Sequence, residues 1–202
     1  AQVDQQRAQE FFKEVQALCE RDGGRLWGVS VCGPMIIADV RTQTFATSQP
    51  PPADPRPRAV GFVNAPIDWG GATWGAYVWD FLANATPRHR NEILLHELFH
   101  GVQGKLGLVA PAMMPEHLDV ADGRYWMRLE WRALARALRE SGERRTSAVR
   151  DALAFRQARR VTDRAREDER AQETTEGLAA YSGTVLAADS PAAAIVGALE
   201  LL

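Results

Sequence analysis

Lysine is nearly missing from this chain: of 24 basic side chains only Lys13 and Lys105 are lysine, the others being arginine. Cysteine is as scarce, with only Cys19 and Cys32, and there are four histidines. No run approaches the roughly 20 apolar residues of a membrane helix, because Gly, Pro, Asp or Glu interrupts the longest ones. An excess of one charge is lacking too. The 24 basic and 26 acidic side chains leave a formal charge of −2, so electrostatics give no reason to expect a nucleic acid or a membrane surface as partner. What is there is ordinary globular composition, 46% hydrophobic and 25% charged over 202 residues, which excludes wholesale disorder and suits one domain. The arginine bias, with abundant alanine, reads as the mark of a GC-rich bacterial genome rather than as chemistry. The chain opens Ala-Gln, the start that signal-peptide cleavage leaves, so a periplasmic or secreted protein is expected. Cys19 and Cys32, 13 positions apart, then either form a disulfide or remain two half-buried thiols.

Along the chain, residues 4–20 carry Phe11, Phe12, Val15, Leu18 and Cys19 at helical spacing, and Gly23-Gly24 ends the pattern. LWGVSVCG and PMIIADV read as strands split by Gly33-Pro34, and RTQTFATS as a third. The proline-rich stretch 48–58 forms neither helix nor sheet interior and is expected to be the least ordered part. AVGFVN and GATWGAYVWDFL resume strand character, with Trp74, Tyr77 and Trp79 expected as core aromatics. After Thr86, a helix cap, and Pro87, suited to a first turn, the character turns helical. The last segment, AAAIVGALELL, is an apolar helical pattern that suggests continuation of the native chain. The expected fold is α+β: one domain over 1–202, a small antiparallel sheet in 1–85, then a helical part, 86–202.

His96-Glu97-Leu98-Phe99-His100 is an HExxH motif inside a segment that reads as helix on independent grounds. Positions i and i+4 project from one helix face a turn apart, so two imidazoles converge on one metal ion, and Glu97 leans toward the open position as a general base. Ile93, Leu94, Leu95, Leu98, Phe99 and Val102 cover most of the helix circumference, which makes it central and buried. The third ligand is less evident. Gln103 and Leu106 stand where a metzincin has Gly and His, so that pattern fails. His89 reads as a surface residue and His117 as a loop residue, so a carboxylate is preferred. Glu116 and Asp119 lie in a proline-bearing loop. Glu130, on a strong helix, is a ligand, a partner of a ligand, or one end of an arginine pair. The order of preference is Glu176, Glu130, Glu173.

HELFH followed by Glu176-Gly177-Leu178-Ala179-Ala180-Tyr181 resembles the gluzincin zinc metallopeptidases, whose third ligand is a Glu on a later helix. The likeness covers roughly residues 60–186 and is similar to a bacterial branch with Trp-rich strands, HExFHxxQ and a later EGLAxY. It implies a zincin-like fold, Zn²⁺ held by His96, His100 and Glu176, Glu97 as general base, and hydrolysis of a peptide or protein substrate. It also implies that the strand before the HExxH helix, here Ala72 to Val78, binds substrate backbone along a sheet edge. Tyr181, Tyr125 and His117 are candidates for a second oxyanion donor, Tyr181 first in line as a catalytic residue. Nothing matches the GxMEN segment that holds a substrate amino terminus, so an endopeptidase is expected. The 75 residues between His100 and Glu176 exceed the interval of the well-known branches. The alternative is an inactive zincin-like binding or scaffold domain. The Arg/Glu-rich run 156–173 alternates sign and lacks interleaved aromatics, so it reads as a solvated helix laced with ion pairs.

Overall fold

Asp4 accepts a hydrogen bond from the Arg7 amide and starts α1 (Gln5–Asp22), and Gly23, left-handed at φ 57°, ends it. The coordinates are a computed structural model that describes residues 2–111 and 113–202. The chain is α+β, a four-stranded sheet in its first part and helices after it. It divides into two compact units, Ala1–Val109 with Ala179–Asp189, and Ala110–Leu178 with Ser190–Leu202.

In the first unit, β1 (Met35–Asp39), β2 (Thr44–Thr47), β3 (Ala65–Trp69) and β4 (Ala72–Val78) form a sheet in the order β2-β1-β4-β3. β1–β2 is antiparallel as expected and β3–β4 is antiparallel too, with β3 on APIDW, a segment not expected as a strand; β1 and β4 run parallel, Met35 opposite Gly75, so the sheet is mixed. The chain between them is long enough for a crossover, which local strand patterns do not report. Every residue of β1 is buried, as a strand covered on both faces requires. Ile36, Ala38, Trp69, Trp74 and Ala76 of the sheet pack with Val60 into one buried cluster. Trp74, Tyr77 and Trp79 are core residues, at most 2% exposed.

Three strand expectations fail. LWGVSVCG forms no strand pairing among the described residues: Gly24 and Gly28 have positive φ, the Asp22 carboxylate accepts from the amides of Gly24 and Leu26, and Cys32 is disulfide-bonded to Cys19. AVGFVN is a turn with one bridge, Val60 to Val63. The end of GATWGAYVWDFL leaves the sheet as a short helix, α2 (Trp79–Asn84). The proline-rich loop is held where the Trp69 indole donates to the Asp54 carbonyl at 2.9 Å. α3 (Pro87–Gln103) starts as expected, the Thr86 hydroxyl accepting from the His89 amide with Pro87 in the first turn.

The second unit is helical. α4 (Ala121–Arg139) and α5 (Gly142–Arg159) form a hairpin, followed by α6 (Asp163–Gln172), a π-helical turn at Glu173–Gly177 and α8 (Pro191–Leu201). The turn runs straight into α7 (Leu178–Ala187), most of which belongs to the first unit. Among the described residues no helix is long and apolar enough to cross a membrane.

Candidate metal centre

The two histidines share one face of α3 because they stand four residues apart, and the helix itself is held in place. Leu94, Leu95, Leu98, Phe99 and Val102 are buried, and the Tyr77 hydroxyl donates to the Leu94 carbonyl at 2.7 Å, tying the helix to β4. Burial, with the nearby Glu97 charge added, pushes the Tyr77 phenol well above its ordinary range, so it stays a donor. Gly75 makes room for it; a β-carbon there would overlap the Tyr77 hydroxyl.

On this fixed helix His96 and His100 bring their Nε2 atoms to 3.0 Å. The far nitrogen of His100, Nδ1, lies 2.7 Å from Gln103 Oε1. Glu97 is buried at 8% exposure, with a carboxylate oxygen 4.0 Å from His96 Nε2. Beside Glu97 opens a cleft of about 400 Å³ whose wall includes Cys32, Pro34, Thr73, Gly75 and Gly101. Gly33 lies against Leu98 of α3, and the Cys19–Cys32 disulfide ties this wall to α1.

The expectation that Ala72 to Val78 form a sheet edge is corrected: β4 is central, with β3 on one side and β1 on the other. β1 pairs only from Gly75 onward, and the Gly75 amide donates to the Pro34 carbonyl. Main-chain groups alternate sides along a strand, so those of Thr73 point the same way, beyond the start of β1 and into the cleft wall.

The other candidates have contacts of their own. Glu130 accepts from Arg156 at 2.8 Å and pairs with Arg159 at 2.6 Å, so it is one end of an arginine pair. Glu173 pairs with Arg156 and Arg160. His117 is bonded to Glu169 at 2.5 Å, and the Tyr125 ring meets Trp126. Glu116, Asp119 and His89 are exposed. Tyr181 is half-exposed with its ring edge-on to Trp27. Glu176 sits in the π-helical turn, a conformation that recurs at functional sites and has no local sequence signature.

The run 156–173 is less solvated than expected. Arg159, Asp168 and Glu169 are buried, and Arg159 donates to both Glu169 oxygens at 2.6 and 2.7 Å.

Comparison of the chain with family models, curated proteins and solved structures finds no match. The functional reading therefore rests on the residues and their geometry.

Proposed function

We propose that this chain is a zinc-dependent endopeptidase of the gluzincin type, with His96, His100 and Glu176 as metal ligands and Glu97 as general base. The observation that carries the reading is the 3.0 Å approach of two Nε2 atoms on one buried helix. Tetrahedral zinc with bonds of about 2.0–2.1 Å sets its nitrogens about 3.3 Å apart, within a few tenths of an ångström of that value. The donor set fits as well, since the three side chains each offer one ligand atom, two imidazole nitrogens and a carboxylate oxygen.

Glu176 is preferred because Glu130 and Glu173 already serve arginines. Within the first unit Gly183 of α7 packs on the Glu92 carbonyl of α3. Trp27 touches Phe99 with its ring while its indole donates to Ser182.

Zinc held by these residues would polarise the scissile carbonyl and lower the pKa of a water. Glu97 takes the proton of the attacking water and delivers it to the leaving amine. The main-chain groups of Thr73, at the uncovered start of β4, pair with extended substrate backbone in the cleft. An oxidising compartment, periplasmic or extracellular, is part of the proposal, and the Cys19–Cys32 disulfide supports it.

The test is cleavage of a peptide library by wild type, by chelator-treated protein and by Glu97→Gln. Internal cleavage, lost with chelator, restored by zinc and lowered about 10²–10⁴-fold in the variant, is expected. Undiminished cleavage by Glu97→Gln contradicts the peptidase reading. Stoichiometric zinc with no cleavage by wild type points to the binding or scaffold domain.

A further inference from the structure

Resting on this metal reading, we propose that Gln103 is the positioning residue that fixes His100 in the tautomer able to coordinate through Nε2. Gln103 is the last residue of α3, buried, and three positions after His100, so the two side chains share a helix face. Its amide oxygen, an acceptor only, lies 2.7 Å from Nδ1 of His100. The proton of the neutral imidazole therefore sits on Nδ1, and the Nε2 lone pair faces the point toward which His96 Nε2 also turns.

The chain end of α3 holds Gln103 in this role. The helix passes at once into a tight turn, Gly104–Leu106, and the Leu108 amide donates back to the Gln103 carbonyl at 3.1 Å. The glutamine thus has a fixed backbone on one side and a fixed imidazole on the other. A neutral amide in this place orients the ring without adding negative charge to the centre. A carboxylate would orient it equally and make the imidazole a stronger donor to a metal.

The experiment compares wild type, Gln103→Leu and Gln103→Glu in two measurements. Zinc affinity is read by competition with a chromophoric chelator, and the His100 tautomer by ¹⁵N NMR of the metal-free proteins. Thermal melts verify that each variant is folded. Wild type is expected to carry the His100 proton on Nδ1. Gln103→Leu is expected to spread it over both nitrogens and bind zinc about 10–100-fold more weakly, with Gln103→Glu restoring both. A folded Gln103→Leu with wild-type zinc affinity overturns the proposal, as does a wild-type His100 protonated on Nε2. If wild type takes up no zinc while His100 still carries its proton on Nδ1 and loses that preference in Gln103→Leu, the tautomer control stands and the metal reading has failed.

Discussion

Glu169 shows how strongly one residue can be committed by its surroundings. Burial alone pushes its carboxyl up, but hydrogen bonds from Arg159, His117 and Arg160 outweigh that and hold it at about 2 instead of 4.5. The folded value lies below the unfolded one. The stability it lends is therefore complete above about pH 4.5 and is lost as pH falls toward 2. Urea melts of wild type across that window should show stability falling with pH, and Glu169→Gln should show a shallower fall. An identical slope in the two proteins would remove Glu169 from this account. At neutral pH, Glu169→Ala removes one of the two carboxylates that pair with buried Arg159, leaving it Glu130, and should cost about 1–3 kcal/mol.

At the scale of elements, helix α7 depends on a glycine. A β-carbon at Gly183 would lie 2.5 Å from the Glu92 carbonyl oxygen, and neither backbone can yield without parting the helices. Gly183→Ala should therefore cost about 1–3 kcal/mol. Because α7 continues the turn that carries Glu176, it should also weaken zinc binding. A variant that melts like wild type would show that α7 does not sit close against α3. The HExxH helix was the most legible element, since Thr86, Pro87 and the apolar positions from Leu94 to Val102 encode its start and burial locally. The parallel pairing of β1 with β4 was illegible because it joins segments distant in sequence. LWGVSVCG misled because strand-like Val29 and Val31 lie in a segment fixed by glycine turns and a disulfide. In the candidate site the histidines and Glu97 were readable from spacing. The arginine partners of Glu130 and Glu173, and the π-helical turn at Glu176, arise only from packing of separate helices or from backbone detail without a residue code.

For the molecule as a whole, the disulfide links α1 to the wall of the cleft beside Glu97. Closing a loop of this size contributes about 3 kcal/mol by restricting the unfolded chain. Replacing both cysteines with serine should lower the melting temperature by about 6–12 °C, and a smaller shift would mean the wall is held by its packing on Leu98. The central claim, that two imidazoles of one buried helix serve a metal, is tested most directly by elemental mass spectrometry of the purified protein without added metal, with His96→Ala beside it. About one zinc per wild-type chain, lost in the variant, is the predicted result. No metal in either protein, even after zinc is offered, would contradict the account and leave His96 and His100 as a hydrogen-bonded pair in the fold.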